Sequence, residues 1–248
     1  MGATILTLVL AVLIGGSLGV LGSGGSIITL PVLVYIAGVP ANQAVSMSMA
    51  IVGATALFGA LIQLWRGNVS IRAAVIFAGS GMVGAYFGST GTHLLSKQVL
   101  MLLFSGVMLI VGSLMLFPRK QVTAAREFSV PLGLAVGFAV GLLTGFLGVG
   151  GGFLIVPALV LAAGLETKLA FGTSLAVIAL NSATGLAGQL RYITVDWSLL
   201  SRFLLFAFVG MVAGIAVARH IQESLLRRIF GGALIVVAVV IAGLNRHA

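Results

Sequence analysis

The sequence predicts an all-α integral membrane protein made of two homologous repeats. Each repeat has a glycine-broken first hydrophobic segment and three further transmembrane helices, and the two are expected to be inverted. Three observations carry this expectation. Only 7% of the 248 residues are Asp, Glu, Lys or Arg, and 60% are hydrophobic, whereas soluble domains carry roughly 25% charged residues. The mean hydropathy is +1.26, and so few charges cannot cover the surface of a water-soluble fold. The apolar residues fall in long runs, and the second half of the chain repeats the first at a fixed offset.

The apolar runs are 3–37, 42–64, 73–95, 98–117, 129–163, 169–190, 203–218 and 229–245. A helix of about 20 residues crosses the hydrocarbon core, so most runs supply one span. Runs 3–37 and 129–163 are too long for one. Each is interrupted by glycines, Gly22-Ser23-Gly24-Gly25 in the first and Gly148-Val149-Gly150-Gly151-Gly152 in the second. Consecutive glycines carry the largest ordering cost, so each run reads as helix, break and second helix, with the second pieces starting near Ser26–Ile28 and Phe153–Ile155. The first run has no Lys or Arg ahead of it, which favours a mature span over a signal peptide.

A shift of 126 residues aligns the halves without a gap from about Gly15 to Gly106. Leu21-Gly22 falls on Leu147-Gly148, Gly24-Gly25 on Gly150-Gly151, Pro31 on Pro157, Ser48 on Ser174 and Gln63 on Gln189. Matches at Gly, Pro and Gln argue for duplication over shared composition. The expected organisation is a first repeat over 1–117, a basic linker over 118–127 and a second repeat over 128–248. If each broken run makes an even number of crossings, each half has an odd total and the halves are inverted. Arg66, Arg72, Arg119, Lys120, Arg126, Lys168, Arg219, Arg227 and Arg228 then share the cytoplasmic side. Lys97, Arg191, Arg202 and Arg246 lie opposite, and the positive-inside rule prefers this nine-to-four split to the eight-to-five split of parallel halves.

Several functions are excluded by missing raw material. Cysteine is absent, and three His and four acidic residues leave little for metal or acid–base chemistry, so no cofactor, metal or catalytic residue is expected and the chain is not read as an enzyme. Glu127, Glu166, Asp196 and Glu223 all flank helices, so no carboxylate is available mid-span for proton relay. The net charge of +9 is spread through loops without interleaved aromatics, unlike a nucleic-acid surface. The glycine clusters lack the Gly-Lys-Ser/Thr ending of a phosphate loop.

Paired glycine-broken segments at matching positions point to a transporter's substrate site. The second piece of a broken helix starts with unpaired, partly positive N–H groups. These must be buried or face a wet cavity, and an anion satisfies them. The candidate binding residues are therefore Gly22, Ser23, Gly24, Gly25, Ser26, Gly148, Gly150, Gly151 and Gly152. Uncharged polar side chains at helical spacing add Ser48, Gln63, Ser174, Asn181 and Gln189. The competing reading is structural: interhelical hydrogen bonds for the polar residues, and close packing for glycines such as Gly84, Gly88, Gly137, Gly141 and Gly145.

Both halves carry Leu-Gly-x-Gly-Gly followed by Pro-x-Leu-Val or its near equivalent. The second half adds Phe171-Gly172-Thr173-Ser174, Asn181-Ser182-Ala183-Thr184-Gly185 and Gln189…Tyr192-Ile193-Thr194-Val195-Asp196-Trp197. Across essentially the whole chain this pattern resembles the sulfite exporter TauE/SafE family. The resemblance implies a multi-pass permease of the cell inner membrane for sulfite, thiosulfate or organosulfonates, with the lipid bilayer and a small anionic substrate as its partners. The first half departs from the pattern, with Ser46-Met47-Ser48 where the second has Gly172-Thr173-Ser174. The residues leave two alternatives open: a transporter of another small solute, and a non-transporting membrane subunit.

Overall fold

A computed structural model describes residues 2–22, 24–91, 96–116, 129–147, 152–189, 197–218 and 220–246. Among these residues the chain is helical, with no strand. In chain order the helices are α1 (Gly2–Leu21), α2 (Gly24–Pro31), α3 (Ala41–Trp65), α4 (Ile71–Gly91), α5 (Lys97–Leu116), α6 (Val130–Leu147), α7 (Gly152–Leu161), α8 (Thr167–Gln189), α9 (Trp197–Ala218) and α10 (Glu223–Arg246). Five of them, α3, α4, α6, α8 and α9, are long and apolar enough to cross a membrane, and α1, α5 and α10 contain shorter apolar stretches. The protein is a multi-pass helical membrane protein. Trp65 ends α3 and Trp197 begins α9, both exposed, as aromatic anchors at a membrane interface are.

The first long apolar run is broken at its glycines; in the second, α6 ends at Leu147 and α7 starts at Gly152, with 148–151 outside the described residues. Gly22 takes φ +66°, which only glycine adopts freely, and α1 stops before it. The chain then folds back so closely on α1 that a methyl group on Gly25 would overlap the Ile14 carbonyl. Pro31 has no N–H to donate, and the chain after it loosens into a π-helical turn, Val32–Ile36, with Ala37 N–H donating to Val32 O at 2.9 Å. Gly38 at φ +69° ends this segment, and Val39 N–H donates back to Leu33 O at 2.9 Å. The second half closes α7 in the same way, with Gly164 at φ +66° and Leu165 N–H donating to Leu159 O at 3.2 Å. The second pieces, α2 and α7, start at Gly24 and Gly152, slightly earlier than the sequence suggests. The expected linker, 118–127, lies outside the described residues.

Helix starts recur at 41 and 167, 71 and 197, and 97 and 223, each pair 126 residues apart. The centre of the bundle is α3 against α8, the most buried spans at 67% each against 39–44% for the other three. These two run antiparallel: Ser46 meets Gln189, Gly53 meets Ser182, and Gly59 meets Leu175. Around them, α4 lies parallel to α6 and α1 parallel to α9. Gly84 faces Phe138 and Leu142, Gly88 faces Leu142 and Phe146, and Gly145 faces Ala85; a methyl on Gly84 would come within 2.7 Å of Leu142 N. Along the other seam Gly15 faces Ala207, and a methyl on Gly19 would stand 2.8 Å from Ile215 N. Small residues let these backbones touch, the packing that lipid-embedded helices rely on. Gly84, Gly88, Gly137, Gly141 and Gly145 serve that close packing.

These directions make α1 and α3 parallel, with the broken segment α2 returning between them. The ends carrying Arg66, Lys168 and Ala218 therefore lie on one face of the bundle. The start of α3 and the end of α8 lie on the other.

Candidate functional site

On the first of those faces α3 ends in a tight turn. Gly67 N–H donates to Leu64 O at 3.0 Å and Asn68 N–H to Gln63 O at 3.0 Å, with Gly67 at φ +71°. The turn is pinned to α8, because Thr173 Oγ1 accepts from Ser70 N–H at 2.9 Å while donating to Leu169 O at 2.7 Å. Gly172 makes room for it, since a side chain there would overlap the Asn68 carbonyl. Asn68 Nδ2 in turn donates to Gln63 Oε1 at 3.2 Å.

This architecture encloses a cavity of about 350 Å³, within the size range of small-molecule sites. Its lining includes Gln63, Arg66, Asn68, Lys168 and the break residue Gly22, with Phe171 on its wall. Two of the sequence-derived candidates, Gly22 and Gln63, thus meet here. Arg66, Asn68 and Lys168 escaped the sequence reading because cations in loops are the ordinary mark of a membrane face. Their closeness in sequence to Gln63 and to the Gly172-Thr173-Ser174 motif is the signal that could have found them.

Ser174 joins the first broken helix to α8. Its hydroxyl is buried and donates to Gly22 O at 3.1 Å and Phe171 O at 2.8 Å. Asn181 lies two helical turns further along α8 on the same side, about 10 Å deeper, near the middle of that 23-residue helix. It is only 2% exposed, and neither its Oδ1 nor its Nδ2 has a hydrogen-bond partner. The amide faces α4 at Gly81, where a methyl group would sit 2.7 Å from Nδ2. Ser48 on α3 is fully buried, and its Oγ is likewise unpartnered. The counterpart of Gly22 by the 126-residue offset, Gly148, lies outside the described residues with Ser23, Gly150 and Gly151. Gly24, Ser26 and Gly152 lie in the first turns of α2 and α7, and Gly25 is held against α1.

Gln189 has a different environment from Gln63. It is 3% exposed, its Oε1 accepts from Ser46 Oγ at 2.7 Å, and its Nε2 donates to Ser89 O at 3.2 Å. One side chain therefore ties α3, α4 and α8 together at the face opposite the cavity. Removing the Ser46 hydroxyl would strand a buried amide oxygen, at about 1–3 kcal/mol. Ser46→Ala is expected to lower the thermal midpoint in detergent by several degrees. Thr90→Ala, whose hydroxyl bonds only within its own helix, should leave it unchanged.

A multi-pass helical bundle with a polar-mouthed cavity at one end and unpartnered hydrogen-bonding groups buried near its middle has the build of a membrane transporter, not an enzyme. Residues 7–241 match the family model described as Sulfite exporter TauE/SafE, and the chain belongs to that family. It is 38% identical over 237 residues to a "Probable membrane transporter protein" of Xylella fastidiosa (strain 9a5c), covering 92% of this chain and 90% of that one. It is 28% identical to the "Probable membrane transporter protein YdhB" of Bacillus subtilis (strain 168), with 82% and 85% covered. A "Probable membrane transporter protein" of Haemophilus influenzae is 26% identical, with 95% and 96% covered. No solved structure matches the chain.

Proposed function

We propose that the protein is a facilitator or secondary transporter of small sulfur-containing anions such as sulfite, thiosulfate or organosulfonates, resident in the cell inner membrane. The observation that carries this reading is the set of buried, unpartnered polar atoms on Ser48 and Asn181. Each such group costs about 1–3 kcal/mol when left unsatisfied, a cost that a bound ligand removes. Neutral donors suit an oxyanion held by hydrogen bonds and helix dipoles without a full countercharge. The anion would sit between the two breaks, on backbone N–H groups of Gly22, Ser23, Gly24, Gly25 and Ser26 and of Gly148, Gly150, Gly151 and Gly152. Ser174, Asn181 and Ser48 would meet it in turn along the α3–α8 seam, about 10 Å apart, with Gln63 and Gln189 at the two ends of its path.

The halves, 1–117 and 128–248, are read as an inverted duplication joined by the linker 118–127. Support comes from the antiparallel packing of α3 on α8, which occupy equivalent positions in the two halves. Among the described residues the same helix directions put Arg66, Arg72, Lys168, Arg227 and Arg228 at one face, which the positive-inside rule reads as cytoplasmic. With the cytoplasm negative, expelling one negative charge releases about 2.3 kcal/mol per 100 mV, so export needs no coupling ion.

The test is efflux of labelled sulfite, thiosulfate and sulfonates from liposomes containing the purified protein under an imposed potential. An inside-negative potential of 100 mV is expected to shift the equilibrium distribution of a monovalent anion about 50-fold toward the outside. Absence of flux for all of these anions, in protein shown to be folded, overturns the function.

A further inference from the structure

We propose that Arg66 and Lys168 form a basic mouth that collects small oxyanions from the solution on the α3–α4 loop side, a selectivity station at the entrance to the buried site. This deepens the anion-transport reading and rests on it. The two cations come from different halves of the chain and line one cavity of about 350 Å³ with the amides of Gln63 and Asn68. Two like charges over a concave, low-dielectric wall focus field into the cavity and raise the local concentration of anions.

The 126-residue offset sharpens the point. The positions corresponding to Arg66, Asn68 and Lys168 are Tyr192, Thr194 and Asn42, all neutral. Gln63 at the open mouth corresponds to Gln189, whose amide is tied to Ser46 and Ser89. Ser46 itself corresponds to Gly172, which has no hydroxyl to offer Gln63. The chain has therefore kept a closing tie on Gln189 at one end and set two cations beside Gln63 at the other. An anion approaching from the Arg66 side meets an attractive funnel.

The chain has no cysteine, so one introduced at Ala218 on the cavity wall reports the mouth alone; Asn68→Cys serves if Ala218→Cys does not fold. In liposomes this thiol is expected to react at least about fivefold faster with an anionic methanethiosulfonate reagent than with a cationic one, relative to a free thiol. Arg66→Gln with Lys168→Gln should abolish that preference, and Arg66→Lys should keep it. In parallel, the double glutamine variant should raise KM for sulfite supplied on that side about tenfold at low salt, with the difference shrinking as salt screens the charges. KM for sulfite supplied on the other side should not follow. A thiol without charge preference, or a preference and KM that survive the double variant, overturns the mouth while transport stands. A charge preference abolished by the variant, in a protein that moves no sulfur oxyanion, keeps the basic mouth and removes the transport reading.

Discussion

Asn181→Leu is expected to yield a protein that is at least as stable as the parent and nearly inert as an anion transporter. The two side chains are similar in size, and the site is closed, with Asn181 2% exposed and its amide against Gly81. In the unliganded protein the amide is buried with neither atom paired. Replacing it with an apolar group removes a penalty of about 1–3 kcal/mol, so the thermal midpoint should rise by a few degrees. The same change deletes the donor proposed to meet the anion. A hydrogen bond to a charged group contributes about 1.5–3 kcal/mol, which translates into a 10- to 100-fold fall in sulfite flux. Opposite movement of stability and flux is the informative result, because a merely structural asparagine would lower both. A variant that is less stable, or one that transports normally, removes Asn181 from the site.

Gly22→Val should be the most damaging single change near the cavity. At φ +66° a β-branched residue is strained by about 1–2 kcal/mol or more. Its Cβ would stand 2.6 Å from Phe171 O and 2.8 Å from Phe171 Cα, both backbone atoms with little room to yield. Overpacking of this kind typically costs a further 1–3 kcal/mol. The Ser174 bond to Gly22 O would be disturbed as well. The sum is several kcal/mol, a large part of the stability of most folds, so little monodisperse protein is expected on size-exclusion chromatography. Gly22→Ala should lie between the two. Gly38→Ala is the control: it has a similar positive φ, +69°, but nothing within 4 Å of an added Cβ, so it should show the strain without the clash.

Much of the fold is legible in the sequence because membrane helices announce themselves by length and apolarity. The runs 42–64 and 169–190 became α3 and α8 within a few residues. Starts were harder where polar residues precede the apolar stretch: α9 begins at Trp197, ahead of Arg202, which is exposed on its surface. The break at Gly22 was visible because glycine clusters act through local backbone terms. The π-helical turn after Pro31 was not, since it depends on how freed carbonyls settle in the packed bundle. Among polar residues, type and spacing singled out Gln63 and Gln189 equally. Only their neighbours in space, Asn68 in one case and Ser46 and Ser89 in the other, give them different surroundings. Arg66 and Lys168 lie a hundred residues apart, so no local pattern could join them.

The two glycine seams, α1 on α9 and α4 on α6, each lace the first half of the chain to the second. Neither half has an inside of its own: the faces that would form one are completed by the other half. Under the inverted duplication proposed above, an ancestor the length of one repeat would bury its glycine stripes against a second copy inserted upside down in the same bilayer. Such a protein must enter the membrane in both orientations in comparable numbers. Fusion of two copies frees the charges of each to specialise, so that one descendant half can end in arginine where the other ends in tyrosine.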